Sequence, residues 1–405
     1  MNAGKVVMAV FVDGLKPSSV CRMPFLDSFS QKRRVRTDLG YSITCHATMY
    51  SGVFPDKHHM WFIWKYAPES SPFRFLPQNQ LVKCFDNLAS RYFMGKMVRL
   101  FSGNTSYAGV GVMKRSSIAN WPYFDVAEDR FWDADNYLGS VPTIFELLRR
   151  NGIKYETVGL LNNKNNGGAL LHIEKHHAVN RENRWIYLFI GEVDHYSHFH
   201  TQESEVTVAF LKKVDREIER VYGELIGQYD QVDFVCFSDH GHMKVEHQFD
   251  IYELFYQHKI NLDDFIHITD TNYARFWLRN YKEERTVRRV IEDIPSGFIL
   301  EKEHYKRYHT EMPDNRYGDL IYYLDHPYMF KKTVWGYGLR TKSIHGYLPD
   351  YVDKDGVFIS NIPVESDEYI TLADITPSLL DLLDIKEDFD FDGHSIWKQA
   401  IHSSG

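Results

Sequence analysis

Apolar positions fall into blocks of two kinds along this chain. Three blocks are nearly continuous. Val6-Val7-Met8-Ala9-Val10-Phe11-Val12 stops at Asp13, Trp185-Ile186-Tyr187-Leu188-Phe189-Ile190 runs up to Glu192 and Asp194, and Val232-Asp233-Phe234-Val235-Cys236-Phe237 ends at Ser238-Asp239-His240. Runs of this kind suit strands covered on both faces, as in a parallel sheet. The other blocks carry a helical period: residues 141–151, stopped by Gly152, the longer amphipathic stretch 204–226, and 372–383. Strand and helix alternating in this way predict an α/β fold with a doubly wound, mostly parallel central sheet flanked by helices. Ligands of such sheets sit at the carboxyl ends of the strands, and all three acidic stops fall there.

Two stretches break the rhythm. Residues 56–135 are rich in aromatics, Ser, Asn and Gly, and residues 245–340 are charged and aromatic with weak strand signals. Both read as insertions in a single catalytic domain spanning 1–405, the first shaping the pocket and the second a smaller α+β cap. Within the first, Trp61-Phe62-Ile63-Trp64-Lys65-Tyr66 reads as core, with stacking on a nucleobase as the alternative.

Composition narrows the functional classes. The net charge is −8, which argues against non-specific nucleic-acid binding, because a phosphate backbone calls for clustered Lys and Arg. The densest basic run, Lys32-Arg33-Arg34-Val35-Arg36, reads as a solvated loop or strand edge. No stretch approaches the ~18 apolar residues of a membrane helix. Four cysteines (Cys21, Cys45, Cys84 and Cys236) show neither metal-type spacing nor a dense disulfide framework, and a reducing, cytoplasmic setting is expected. The 20 histidines point instead toward metal chemistry.

Several residues carry two readings each. Asp194 and His198 stand four apart in GEVDHYSHFH, so a helix there puts both on one side, able to hold a metal; His195 and His200 share the segment. Asp239-His240-Gly241 follows a buried strand, where both side chains reach a metal if the chain turns at Gly241, or serve as a cap and a surface His. Asp13 is a ligand or the cap of a helix near Pro17. Ser42 begins a helical pattern closed by Gly52; a hydroxyl at a helix start is well placed to attack phosphate, and it is equally an ordinary N-cap. His345, in His345-Gly346-Tyr347, is a lone His that by itself reads as structural.

Taken in order, these pieces resemble the alkaline phosphatase superfamily, and within it the nucleotide pyrophosphatases/phosphodiesterases. The nucleophile segment of that branch runs Thr-x-Pro-Asn-x-x-Thr-x-x-Thr-Gly-x-x-Pro-x-x-His-Gly. Here Thr48, Ser51-Gly52, Pro55 and His58 match it and place Ser42 on the nucleophile, while Thr44, Cys45 and His59 depart from it and Thr44 stays a rival nucleophile. Asn315-Arg316-Tyr317-Gly318-Asp319-Leu320-Ile321, His345-Gly346-Tyr347 with Gly356-Val357-Phe358-Ile359, Asp374-Ile375-Thr376-Pro377, and Asp392-Gly393-His394-Ser395 continue the likeness. The resemblance implies two divalent metal ions. One is held by Asp194, His198 and His345, the other by Asp13, Asp239, His240 and the Ser42 oxygen. Zinc is the usual metal of the family, and the mixed carboxylate and imidazole donors suit zinc and also manganese.

The implied activity is metal-dependent hydrolysis of a phosphodiester or pyrophosphate bond in a small molecule, a nucleotide among the candidates, through a phosphoseryl intermediate. The metals, roughly 4 Å apart, would stabilise the attacking and leaving oxygens. A phosphomonoesterase or a phosphoryl transferase fits the same site; Lys57 and Lys244 are the only cations the sequence nominates against the extra monoester charge. A binding module without catalysis is a further alternative, separable by chelator-sensitive turnover. A sulfatase is set aside, since Ser42-Ile43-Thr44-Cys45-His46 lacks the Pro and Arg of the modification signature.

Overall fold

The apolar run that ends at Asp13 is strand β1 (Ala3–Val12), and its alternate residues serve two different cores. Val7, Ala9 and Phe11 join one cluster, while Val6, Met8, Val10 and Val12 join another on the opposite face. A period of two with apolar residues on both sides is what a central strand requires. The structure, a computed structural model, describes residues 3–76, 86–87, 89–91, 93–94, 117–159, 169–176, 180–334, 340–365 and 369–397. Cys84 and part of the 56–135 stretch lie outside the described residues.

Six further strands complete the sheet: β2 (Gln31–Arg36), β3 (Tyr155–Val158), β4 (Trp185–Ile190), β5 (Tyr229–Phe237), β6 (Gly356–Ser360) and β7 (Tyr369–Thr371). Their order is β7-β2-β6-β5-β1-β4-β3. β1 runs parallel to β4 and β5, and β3 parallel to β4; only β6 is antiparallel to its neighbours. Val12 pairs with Ile190 and Phe11 with Phe237, so the three acidic stops share one end of the sheet. The basic run is β2, one strand in from the edge, where Arg34 pairs with Asp355 at 3.2 Å.

Helices cover both faces. α1 (Ser42–Ser51), α2 (Ile144–Arg150) and α5 (Ile375–Leu382) supply Cys45, Met49, Phe145, Leu148, Leu379 and Leu382 to one core. α4 (Glu205–Ile226) lays Leu211, Val214, Ile218, Val221 and Leu225 on the other, a stripe at helical spacing. α3 (Glu192–His200) starts just past β4. Local signals set the ends. Thr143 and Glu146 form a capping box, Ser204 accepts from the Thr207 amide, and Gly52 closes α1 at φ 73°.

The chain divides into two compact units. The sheet and these helices form the first; residues 59–131 and 245–341 form the second. The second is α+β, with a four-stranded antiparallel sheet of Ile266–Thr269, Tyr273–Trp277, Leu320–Tyr323 and Phe298–Ile299. Its two chain segments share a core: Trp64, Trp121 and Phe124 pack with Ile268 and Trp277. Trp61, Phe62 and Trp64 are buried, as the core reading of that stretch expects. Arg275 is buried there beside Asp270 at 3.0 Å and over the Phe62 ring at 4.3 Å. Among the described residues, no helix is long and apolar enough to cross a membrane.

Candidate metal centre and nucleophile

Asp13 is the first residue past β1, held in line by its amide on the Ile190 carbonyl at 2.9 Å. Gly14 follows at φ +70°, and a Cβ there would lie 3.0 Å from His242 Nε2 and 3.3 Å from the Asp194 Cα. The position therefore favours glycine twice, by conformation and by space. Its amide donates to Asp239 Oδ1 at 3.2 Å, and the His240 amide donates to the same oxygen at 3.1 Å. Both donors use Oδ1. Asp239 Oδ2 and Asp13 Oδ1 are left buried without a hydrogen-bond partner.

Three groups of donors converge. They are Asp194 with His198 and His345, Asp13 with Asp239 and His240, and Asp194 with His240 and His242. Within the first two, ligand atoms are 3.4 Å apart for Asp194–His198, 3.6 Å for Asp194–His345, 3.5 Å for Asp13–His240 and 3.4 Å for Asp239–His240. Two donors roughly 2.1 Å from one ion at a tetrahedral angle lie roughly 3.4 Å apart. That spacing, with two buried carboxylate oxygens lacking a partner, fits these residues to a divalent cation. His195 and His200 join no such group among the described residues.

Hydrogen bonds orient two of the rings. His198 Nδ1 meets the Ser343 carbonyl at 2.9 Å, and His240 Nδ1 meets the Gly241 carbonyl at 3.2 Å. A carbonyl only accepts, so each Nδ1 carries the proton and each Nε2 presents its lone pair to the cluster. His345 stacks on His240 with centroids 3.9 Å apart and 10° between planes.

Electrostatics differ between the groups. Burial pushes the Asp13 carboxyl well above the ordinary range, and the Asp239 and Asp194 charges add to it. Asp239 is pushed up to about 8, first by burial and then by Asp194. Burial would raise Asp194 too, but His198, His242 and His345 outweigh it and hold that carboxyl well below the usual range. Burial lowers His240 and His345, favouring neutral rings.

Ser42 is the first residue of α1, and the N-cap is Tyr41, so the reading of Ser42 as a plain N-cap does not hold. Its Oγ lies 2.9 Å from His240 Nε2. Because that nitrogen bears the lone pair, Ser42 donates. Thr44, the rival, is fully buried, whereas Ser42 is half-buried. Asp13 does not cap the helix at Pro17, whose N-cap is Lys16. Lys57 is engaged by Asp392 at 2.7 Å and Asp390 at 3.2 Å, and Lys244 is exposed.

Asp13, Ser42, Asp194, His198, Asp239, His240 and His345 thus lie in one cluster. Sequence reading passed over two neighbours. His242 stands two residues beyond His240, and its Nε2 lies 2.8 Å from Asp194 Oδ1. His46 stands one helical turn beyond Ser42; its Nε2 is buried, without a hydrogen-bond partner, 3.7 Å from Asp239 Oδ2, and burial lowers it to about 3. A signal for each was present, the DHGH run and the i,i+4 spacing. Behind α1, Thr48 donates to Asp38 at 2.5 Å and contacts His58 at 3.0 Å, and the buried Lys354 donates to the Asp38 carbonyl at 3.2 Å.

The sequence model of one family, type I phosphodiesterase / nucleotide pyrophosphatase, matches residues 7–348. No curated protein matches by sequence. Among solved structures, human ectonucleotide pyrophosphatase/phosphodiesterase 5 is similar with a TM-score of 0.67 at 13% identity, over 96% of this chain and 97% of that one. The murine counterpart gives 0.66 at 12% identity, with the same coverage. An inactive form of the murine protein in complex with AMP gives 0.65 at 13%, again with 96% and 97% covered. At such identity the likeness speaks for the fold, a mostly parallel seven-stranded sheet flanked by helices.

Proposed function

This chain belongs to the type I phosphodiesterase / nucleotide pyrophosphatase family of metal-dependent hydrolases, and from that premise we propose that it cleaves a phosphodiester or pyrophosphate bond in a small molecule with Ser42 as nucleophile. The observation that carries this reading is the 2.9 Å contact of Ser42 Oγ with His240 Nε2, beside the partnerless oxygens of Asp13 and Asp239. One group of donors, Asp194, His198 and His345, would hold one ion; Asp13, Asp239, His240 and Ser42 would hold the other. Zinc is the metal proposed, and manganese suits the same donors. When bound, the ions supply positive charge that lowers the hydroxyl pKa and stabilises the attacking and leaving oxygens.

The chain's own residues do the rest. The lone pair on His240 Nε2 that accepts the Ser42 proton is the one a cation would take, and it cannot serve both. With that lone pair committed to a cation, His240 would no longer hold the Ser42 hydroxyl, and Oγ would be free to face the substrate. Oγ gives up its proton to water and attacks phosphorus in line with the leaving oxygen, whose bond to phosphorus breaks and which departs as an anion or takes a proton from water. The product is a phosphoseryl adduct that keeps the remaining ester group. Water then displaces Ser42 from that phosphorus, and two inversions give net retention. The start of α1 favours the anionic group. AMP bound to the murine relative makes nucleotides the first substrate class to try. A cytoplasmic setting belongs to the same proposal, supported by the free thiols of Cys21, Cys45 and Cys236.

The test is turnover of bis(p-nitrophenyl) phosphate beside p-nitrophenyl phosphate, with zinc and with a chelator. Faster diester cleavage that the chelator removes supports this reading. Faster monoester cleavage moves the protein to a phosphomonoesterase, and no turnover of either with metal bound moves it to a transferase or a binding module.

A further inference from the structure

His242 is buried inside the cluster and has no place in either ligand set, yet it joins them: it groups with Asp194 from one and His240 from the other. Its distance to Asp194 separates two roles. The candidate ligand pairs stand 3.4 to 3.6 Å apart, the spacing of donors around a shared ion. His242 Nε2 and Asp194 Oδ1 stand 2.8 Å apart, the distance of a charge-assisted hydrogen bond. A neutral imidazole has one N–H. The other ring nitrogen, Nδ1, is 3.4 Å from Ser343 Oγ, whose own proton goes to the Ser197 carbonyl at 2.6 Å. The short contact to a carboxylate takes the proton ahead of the long contact to a hydroxyl. Gly14 leaves the room for this, since any Cβ there would press on His242 Nε2 and the Asp194 backbone.

We propose that His242 is a positioning residue of the metal centre, its Nε2–H bonded to Asp194 Oδ1 so that the carboxylate is fixed in the direction of His198 and His345. The inference rests on the reading of Asp194, His198 and His345 as a ligand set. A carboxylate oxygen has two lone pairs; His242 engages one and leaves the other for the ion. Partners of this kind orient ligands and typically change metal affinity when removed. His198 and His240, whose Nδ1 atoms face carbonyls, present Nε2 lone pairs to the cluster, whereas His242 presents an Nε2 proton, the opposite tautomer.

Zinc titration calorimetry on the full chain, against a competing chelator, tests the idea in wild type, His242→Ala and His242→Gln. Wild type is expected to show two binding events. His242→Ala weakens one of them by roughly 10- to 100-fold and leaves the other and the total stoichiometry unchanged. His242→Gln, which keeps an N–H donor, recovers much of the loss. Equal affinities in wild type and His242→Ala overturn the positioning role, and so does loss of a whole ion at saturating zinc, which would make His242 a ligand. Fewer than two events in wild type overturns the ligand sets themselves, a distinct result. Should His242→Ala fail to fold, imidazole nitrogen NMR of the ion-free wild type, assigned with His242→Gln, decides the matter: a proton on Nε2 of His242 is expected, and a proton on Nδ1 contradicts it.

Discussion

The two halves of the cluster solve the problem of buried charge in opposite ways. Around Asp194, one carboxylate meets three imidazoles, with His242, His198 and His345 at 2.8, 3.4 and 3.6 Å. That carboxylate is held well below its ordinary range. Around Asp239, two carboxylates lie beside His240, with His46 3.7 Å from Asp239, and each carboxylate keeps an oxygen without a partner. There burial and the neighbouring carboxylates push both acids upward. The first half balances its carboxylate with imidazoles; the second keeps two unpartnered carboxylate oxygens that a cation would satisfy. Ser42 touches the second half, through His240. The proposed nucleophile thus lies where added positive charge would change the local balance most.

The largest expected effect breaks the cluster at that point. Ser42→Ala should lower kcat by four or more orders of magnitude, about the loss seen when a covalent nucleophile is removed, while metal content measured by atomic emission stays at the wild-type value. A variant that keeps most of its activity shifts the nucleophile elsewhere, with Thr44 first in line.

Stripping the ions comes next. A ligand at about 100 times its Kd stabilises by about 2.7 kcal/mol, so chelation should lower the melting temperature and added zinc should restore it. Unchanged melting in the chelator would mean that the second half is stable without a cation.

Two single substitutions then set the halves against each other in the ion-free chain. Asp239→Asn keeps the Oδ1 acceptor for Gly14 and His240 and removes the cost of burying or protonating a repelled carboxyl group, so it should stabilise by about 1 kcal/mol. Asp194→Asn leaves the surrounding imidazoles facing an amide and should destabilise by about 1–3 kcal/mol. Urea unfolding in chelator reads both. Shifts of the same sign would erase the contrast between the halves.

A buried carboxylate outside the ligand sets supplies a baseline. Burial pushes Asp38 up to about 7, against the Thr48 hydrogen bond, which lowers it. The folded chain therefore binds this proton more tightly than the unfolded one. The stability it contributes is fully present below the unfolded value of 3.8 and is lost as pH rises through about 7. Asp38→Asn should flatten the decline in stability over that window, measured by unfolding at a series of pH values; an unchanged slope assigns the decline to other groups.

Much of this was visible in the chain itself. Asp13 and Asp239 stood out because continuous apolar runs end at them, and the parallel register that carries those ends to one edge follows from two-sided burial. Asp194 and His198 stood out because four residues is one helical turn. His242 did not. Its importance lies in a contact with Asp194 across 48 positions, and nothing in DHGH tells which imidazole faces a metal and which faces a carboxylate. His46 was hidden for a similar reason: a helix in the sequence has no face until α1 packs on β1, where His46 meets Phe11 edge-on at 5.2 Å. The two insertions were legible as interruptions, but not as one unit, because the packing of Trp64 and Trp121 with Trp277 joins segments far apart in the chain.

The central claim is that Ser42 forms a covalent bond to phosphorus, and peptide mass spectrometry after acid quench tests it most directly. Wild type loaded with zinc and mixed briefly with bis(p-nitrophenyl) phosphate should carry a p-nitrophenyl phosphoryl group on the peptide containing Ser42, fragmenting to that residue, and the adduct should be missing from chelated protein. An adduct on Thr44, or sustained turnover with no adduct on either residue, would contradict the account.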